Sequence, residues 1–291
     1  MYLKKPLLIA FLVLLYGCAS TLPRPNTNAL EGDSELDGNT LFKQTFTAHG
    51  GEHLDKLRNV NVGLSGKWKW LIRRIQPLVS DFTYRVESEE RLLPNAGVYA
   101  AHYRGPAGTK SVFRSPNNIE VFYNGEVSNE PAVLSSTALT ADAFHLFLLG
   151  PLSLERWQTN FKRLSDAKFK RKTYHRIYLE RKPGFGLSES DEVVLWIDTD
   201  SKLTKLIQIT LEGHDTTKGA HVEVEYLAYL EQGPYTFPSD FFERVNAPIS
   251  IDAHAWHLTG LDINRDYTEQ ELKTPGFSQQ AAEPATALGV D

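Results

Sequence analysis

Strict alternation of apolar and polar side chains recurs along this chain, and it constrains the fold more than any other feature. Residues 61–70, 81–87 and 221–226 all show this period of two. Successive side chains of a strand point to opposite faces, so these segments predict strands with one buried and one solvated face. That pattern is typical of antiparallel sheet. Hydrophobic residues make up 41% of the chain and aromatic residues 11%, which is enough to fill a core beneath such a sheet.

Two helical segments interrupt the alternation. Apolar residues recur at helical spacing over 41–49, after a capping Asn39 or Thr40, and Gly50–Gly51 ends the pattern. A second helix is predicted from Thr140 or Asp142 to Gly150–Pro151. Further strands are predicted near 98–104, 110–115, 118–123, 174–181, 192–198, 203–212, 241–246 and 249–259. The predicted elements follow the order helix, several strands, one helical insertion and many strands. This order predicts an α+β fold, with helices on one face of a large antiparallel sheet.

The only cysteine of the chain is Cys18, so no intramolecular disulfide and no multi-thiolate zinc site is possible. Lys4 and Lys5 precede an unbroken apolar run at 7–15, and Gly17 comes directly before Cys18. A secretory signal typically has a basic start, an apolar run too short to span a bilayer, and a small residue before the cleavage site.

The segment Leu15–Cys18 also resembles the lipobox of bacterial lipoproteins. The resemblance implies cleavage before Cys18, a diacylglycerol on its thiol and an acyl chain on the new amino terminus. Ala19 resembles the class sent to the outer membrane, which implies a lipid-anchored protein that faces the periplasm. The alternative is an ordinary signal peptide that carries an incidental cysteine.

Composition divides the chain into four parts. We expect a signal peptide at 1–17, a flexible tether at 18–38, one domain at 39–276 and a disordered tail at 277–291. The formal net charge of −5 argues against a nucleic-acid partner, which usually selects for a basic excess.

The order of motifs over 174–238 resembles the LolA/LolB-like lipoprotein-localisation superfamily. A strand ending in Leu195–Asp198 is followed by a turn and by Leu203–Leu206, and later by Gly233 and Phe237–Pro238. The resemblance implies a large curved antiparallel sheet, a half-open β-barrel, whose concave face is covered by helices. It also implies an apolar cavity for acyl chains, and hence the binding of a lipid or lipoprotein.

The cavity of such a half-barrel would be lined by apolar residues from the strand faces. The alternative is that the same side chains simply pack the core, as buried aromatic residues ordinarily do. The candidates are Trp68, Trp70, Phe82, Tyr84, Ile207, Ile209, Val224 and Tyr226.

One motif suggests metal chemistry. His49, Glu52 and His53 match the spacing of inverted zinc proteases, in which the two histidines bind zinc and the glutamate is the general base. Gly50–Gly51 interrupts the helix that this geometry needs, so a helix end with two exposed histidines is the simpler interpretation. No catalytic residue, metal or cofactor is assigned.

Two basic clusters, Arg73–Arg74 and Lys168–Lys172, complete the candidate features. The second could contact anionic headgroups, or it could be a solvated turn.

The leading hypothesis is a non-enzymatic, lipid-anchored envelope lipoprotein that binds an acyl chain, lipid or lipoprotein in its half-barrel. The membrane would be contacted through Cys18. The alternatives are an interaction or scaffold lipoprotein with a packed core and a protein partner in the envelope, and a zinc metallohydrolase that uses the histidine motif.

Overall fold

A single antiparallel sheet of 13 strands dominates the computed structural model, which describes residues 21–25, 37–155, 160–247, 249–273, 277 and 281–284. The strands are β1 (Val60–Trp68), β2 (Glu87–Leu93), β3 (Val98–Gly105), β4 (Gly108–Ser115), β5 (Asn118–Tyr123), β6 (Glu126–Val127), β7 (Lys162–Phe169), β8 (Lys172–Arg181), β9 (Asp191–Asp198), β10 (Thr204–Thr210), β11 (His221–Gln232), β12 (Tyr235–Val245) and β13 (Ile251–Ile263).

The helices are few and most are short. They are α1 (Gly38–Ala48), α2 (Trp70–Ile75), α3 (Pro77–Ser80), α4 (Pro131–Leu149) and α5 (Glu269–Leu272), with 3₁₀ turns at Gly51–Lys56 and Gly150–Ser153. Helix α4 is the long one. It begins with a proline, whose missing N–H costs nothing at the first position, and Gly150 ends it at φ 56°.

The sheet is open, and α4 links its two edges. The strand order is β6-β5-β4-β3-β2-β1-β13-β12-β11-β10-β9-β8-β7, so β1 pairs with β13 in the middle. The chain therefore leaves one edge at β6, crosses through α4 and re-enters at β7, on the opposite edge. Because α4 contacts β3, β4 and β5 on one side and β12 on the other, the sheet curves around it. The predicted α+β fold, a large curved antiparallel sheet around helices, is confirmed.

Alternation along each strand separates a concave from a convex face. On β9, Val193, Leu195 and Ile197 enter the main core, while Val194 and Trp196 belong to a second cluster on the other side. The main core also contains the apolar residues of α4. The concave face is therefore filled by helix side chains over most of its length.

The described parts of both terminal segments pack on the convex face. Leu22 is buried in the cluster of Val194 and Trp196, and Arg24 forms an ion pair with Glu192 at 2.8 Å. Near the other end of the chain, Phe277 packs with the cluster around β3 and β4. These segments shield strand faces that would otherwise expose apolar side chains to water.

The predicted strand near 82–86 is wrong. Asp81 adopts a left-handed conformation at φ 42°, and its carbonyl accepts hydrogen bonds from the N–H groups of Tyr84 and Arg85. The segment is consequently a turn, and the strand begins at Glu87. Burial does not follow the apolar alternation there, since Arg85 is buried and Val86 is exposed.

Other elements also differ from the sequence prediction. Trp70 begins α2 instead of continuing β1, α4 begins at Pro131 instead of near residue 140, and β7 at Lys162–Phe169 was not predicted. The segment Pro131–Ser153 is long and apolar enough to cross a membrane, but 67% of its most apolar stretch is buried inside this fold. It is the core helix of the sheet.

Candidate functional site

Four aromatic rings form a continuous stack on the concave face of β1, β13 and β12. Trp68 lies directly opposite His254 in the strand register, and the two rings are 3.9 Å apart and parallel within 1°. The His254 ring is 4.7 Å from Trp256, which is 4.9 Å from Phe241. We call Trp68, His254, Trp256 and Phe241 the aromatic ladder.

The ladder depends on a glycine of the neighbouring strand. A Cβ at Gly66 would come within 2.7 Å of His254 Nε2, so only glycine lets the imidazole lie over β1. Neither ring nitrogen of His254 has a hydrogen-bond partner among the described residues. Burial, together with the charge of Arg85, lowers the pKa of His254 well below its ordinary value, so this imidazole is neutral.

Arg85 lies over the ladder and is 6% exposed. Its guanidinium carbon is 4.8 Å from the Phe144 ring, 5.1 Å from the Tyr103 ring and 5.2 Å from the Trp68 ring. It donates one hydrogen bond, to the Val79 carbonyl at 3.0 Å. Within the described part of the chain, no carboxylate oxygen lies within 4.0 Å of it. The buried cation is stabilised by aromatic faces at close range and by the charges of Glu90 and Asp81 from beyond 4.0 Å, so none of the described carboxylates contacts it directly.

A buried carboxyl lies near this cation. Glu90 is fully buried and accepts a hydrogen bond from Ser88 Oγ at 2.8 Å. Burial raises the pKa of Glu90 to about 7, although the charge of Arg85 acts in the opposite direction. The hydroxyls of Tyr99 and Tyr103 meet at 2.6 Å beside it. The charge of this polar cluster therefore changes around neutral pH.

A buried ion pair between Lys110 and Asp81 links the sheet to α4. Lys110 Nζ donates to Asp81 at 2.7 Å and to Thr137 Oγ1 of α4 at 3.1 Å, and the Tyr123 hydroxyl also donates to Asp81. Burial lowers the pKa of Lys110 to about 8. These contacts hold the first half of α4 against β4 and β5.

The space between the ladder and α4 is small. A crevice of about 20 Å³ opens beside Arg85, Phe144, His254 and Trp256, which is room for a single water molecule. The concave face is thus closed to an acyl chain in this conformation, and a ligand could enter only if α4 moved.

The predicted cavity residues fall into two groups. Ile207, Ile209, Val224 and Tyr226 lie on the concave face, fully buried in the main core. The Tyr226 hydroxyl donates to the Phe147 carbonyl of α4 at 2.8 Å, so it contacts the helix that fills the concavity. Contact of these residues with a ligand stays a prediction.

The remaining four candidates lie at the rim. Trp68 joins the ladder, but the strand placement of Trp70 is wrong, since it begins α2 and is 62% exposed. Phe82 and Tyr84 are half-buried in the turn before β2, where the Tyr84 ring lies 4.7 Å from Tyr123.

Sequence reasoning missed Arg85, Glu90 and Phe144 as site residues, because no motif marks them. His254 is buried on β13, whereas His257, three residues further along the strand, is exposed on the opposite face.

The zinc-protease geometry is not formed. His49 is fully buried, its Nδ1 hydrogen bonds to the Thr236 carbonyl at 2.8 Å, and its Nε2 accepts from the Thr204 N–H at 3.1 Å. Both ring nitrogens are therefore occupied, and the expectation that His49 is exposed is wrong. Gly50 ends α1 at φ 85°, and His53 is exposed on the next 3₁₀ turn. Among the residues described, no three His, Cys, Asp or Glu side chains could hold a metal together.

A serine–histidine contact also occurs, between Ser135 Oγ and His214 Nδ1 at 2.8 Å. A catalytic triad needs a carboxylate on the second ring nitrogen, but His214 Nε2 has no partner in the described structure. Asp215 is instead paired with Lys218 at 2.7 Å. The contact fastens the first turns of α4 to the β10–β11 loop.

Comparisons with known proteins describe the fold. No protein-family model and no curated protein matches the sequence. The fold is similar to that of solved LolA superfamily proteins. One from Nitrosomonas europaea has a TM-score of 0.49 and 10% identity, over 82% of this chain and 98% of that one. A DUF1329 family protein from Desulfovibrio piger has a TM-score of 0.49 and 6% identity, over 83% of this chain and 99% of that one.

Proposed function

We propose that the protein is a lipid-anchored lipoprotein of the cell envelope that binds an acyl chain, lipid or lipoprotein between its sheet and α4. Cys18, outside the described residues, would hold it at the outer membrane, facing the periplasm. The proposal depends on Arg85, a buried cation without a carboxylate partner that lies over the aromatic ladder. An amphiphile offers the complementary pair, an anionic headgroup for the guanidinium and an apolar chain for the rings.

Binding would require α4 to leave the concavity, because the crevice of about 20 Å³ is far too small for an acyl chain. The topology favours such a movement, since α4 is a connection between the two sheet edges and is not itself part of the sheet. Burial of an acyl chain contributes ~0.8 kcal/mol per CH₂, so about 15 methylenes supply roughly 12 kcal/mol. That gain would offset part of the free energy lost with the apolar contacts of α4.

We propose no catalytic step. His49 uses both ring nitrogens in hydrogen bonds to the backbone, and the Ser135–His214 contact lacks an orienting carboxylate in the described structure. The polar side chains that line the crevice, such as Arg85 and Glu90, can bind a charged ligand. This is the role of a binding site.

Native mass spectrometry of the full chain, purified gently from the envelope, tests the proposal. The wild type should retain an anionic lipid or bind added palmitate, and Arg85→Gln should weaken palmitate binding at least tenfold. Arg176→Gln is the matched control, because that guanidinium lies 4.9 Å over Trp196 on the convex face. Arg85→Lys, which keeps the charge, covers the possibility that the glutamine variant unfolds. Wild-type protein that binds neither lipid nor palmitate would refute the proposal.

The filled concavity favours a second candidate function. A sheet already packed by α4 could serve as an interaction or scaffold lipoprotein, which presents its surface to a protein partner in the envelope. Crosslinking in cells separates the two functions. One dominant protein partner and no retained lipid would support the scaffold, whereas a retained lipid would support the binding function.

A further inference from the structure

Exposed apolar side chains concentrate on α2, α3 and the turn that follows them. Of the nine large hydrophobic residues that are exposed in the described structure, five lie between residues 70 and 86. Trp70 is 62% exposed and Ile75 is 49% exposed, on the same short helix. We call these five residues the α2–α3 patch. They are Trp70, Leu71, Ile75, Leu78 and Val86.

The helices that carry the patch are packed against the sheet and hydrogen-bonded to a neighbouring loop. Ile72, on the inner side of α2, is buried against Trp68 and Ala253. Gln76, between the two helices, forms two hydrogen bonds with Thr216 of the β10–β11 loop, at 2.7 and 2.6 Å. The exposed side chains are therefore held outward by a packed element.

The surroundings of α2 are basic, whereas Leu78 at the other end of the patch lines a cleft that also contains Glu189, Glu212 and Asp215. No aspartate or glutamate occurs from Leu57 to Ser80, although the whole chain has a net charge of −5. The same stretch carries four cations next to the patch, and none of them has a described carboxylate within 4.0 Å. They are Lys67, Lys69, Arg73 and Arg74.

Three of these cations instead lie over aromatic rings. Arg74 is 5.7 Å from the Trp70 ring centroid and Arg73 is 5.1 Å from that of Phe82. Lys69 is 5.8 Å from that of Phe242. Their charges remain available to an anionic partner, because an aromatic face does not neutralise a cation.

We propose that the α2–α3 patch docks on the surface of an anionic phospholipid bilayer. Tryptophan prefers the headgroup level, so Trp70 would lie there, with Leu71 and Ile75 reaching the acyl boundary. The flanking lysines and arginines would contact lipid phosphates, because an anionic membrane surface attracts basic residues. This contact is separate from the anchor proposed at Cys18, and of the five patch residues only Val86 also lines the crevice beside Arg85. It would fix the orientation of the domain on the membrane.

Fluorescence quenching on the full chain tests the docking. The protein is reconstituted into vesicles of phosphatidylglycerol and phosphatidylcholine whose acyl chains carry bromine, which quenches tryptophans in contact with the bilayer. The measurements use a Trp157→Phe background, because Trp157 lies outside the described residues. In that background Trp70→Phe should remove most of the quenching, because the structure buries the other three tryptophans, Trp68, Trp196 and Trp256. The double substitution Arg73→Gln and Arg74→Gln should reduce quenching toward the value in pure phosphatidylcholine vesicles.

Leu227→Ser is the matched control, since Leu227 is an exposed apolar residue of β11 outside the patch. It should leave the quenching unchanged. Quenching that is equal in the wild type and Trp70→Phe would overturn the proposal, as would quenching that does not depend on anionic lipid. A crosslinker at position 70 that captures a protein while vesicles give no quenching would also overturn it. Lipid retention in the crevice is measured independently of all these results.

Discussion

Two buried ionisable residues give the protein opposing responses to pH. Burial raises the pKa of Glu90 to about 7 from an ordinary 4.5, so the folded state pays an increasing penalty as pH rises from 4.5 to 7. Burial lowers the pKa of His49 to about 4 from an ordinary 6.5, so its contribution to stability is lost as pH falls from 6.5 to 4. Each shift corresponds to roughly 3 kcal/mol at about 1.36 kcal/mol per pKa unit. Between pH 4.5 and 6.5 the two changes in the free energy of unfolding have opposite signs and largely cancel.

Substitution of Glu90 should reveal this balance. We expect Glu90→Gln to exceed the wild type in free energy of unfolding at pH 8 by about 1–3 kcal/mol, because a neutral amide replaces a buried charge. The advantage should disappear by pH 5, where the wild-type carboxyl is protonated. Urea unfolding at pH 5, 6.5 and 8 measures it, with Glu87→Gln on the exposed face of β2 as control. A variant less stable than the wild type at pH 8 would contradict the prediction.

At the residue scale, the sequence predicts which face of a strand is buried better than it predicts the residues of the candidate site. The period of two places Ile207, Val224 and Tyr226 on a buried face, because alternation is a direct consequence of strand geometry. It cannot identify Arg85, which reaches the ladder from a turn, or predict that Trp70 points to solvent from a new helix. Both positions depend on tertiary contacts that leave no local pattern.

Among the elements, α4 decides whether the concave face is open or closed. Asp142 holds its middle: Arg114 donates to it through Nε and Nη2, both at 3.0 Å, and the Gly186 N–H donates at 2.8 Å. Gly186 has φ +64°, and a Cβ there would lie 2.7 Å from the Leu139 nitrogen. The β8–β9 loop can therefore approach α4 closely only through this glycine. Asp142 thus joins β4, the loop and the helix.

Loosening this junction should increase the opening of α4. We expect Asp142→Asn to destabilise the fold by about 1–3 kcal/mol, since it replaces a largely buried, bidentate ion pair with neutral hydrogen bonds. Amide hydrogen exchange should accelerate over 131–149 more than in β8–β11, and palmitate should bind faster if α4 controls access. Asp215→Asn removes an exposed ion pair with Lys218 and should change neither rate. Uniform acceleration across the sheet would show that α4 does not open as a unit.

The element boundaries show where sequence patterns lose information. The helix ending at Gly150 was predicted from its apolar spacing and stop signal, but its first two turns, at Pro131–Ala138, contain polar residues without helical periodicity. The turn at 82–86 alternates like a strand over only five residues, too few to distinguish a strand from a packed loop. The presence of most strands was therefore predicted, whereas β7 and the ends of the elements were not.

For the whole molecule, the curvature of the sheet was implied by motif order and not by any local pattern. Alternation indicates that strands pair, but it does not show that β1 joins β13 or that α4 connects the two edges. Those pairings bring together residues almost 200 positions apart, such as Trp68 and His254. The resemblance carried by the motifs at 174–238 implied the curved sheet, but it did not identify these pairings.

The anchor belongs to this largest scale, because it decides where the molecule works. We expect the mature chain to begin at Cys18, with residues 1–17 removed and the mass of a diacylglycerol and an acyl chain added. Several acyl chains give stable attachment, whereas one chain would bind the membrane only marginally. Intact-mass analysis of protein from the membrane fraction measures both changes. Cys18→Ala should leave the chain uncleaved at this position and unmodified, and a wild-type chain without added lipid would show that Cys18 is incidental to an ordinary signal peptide.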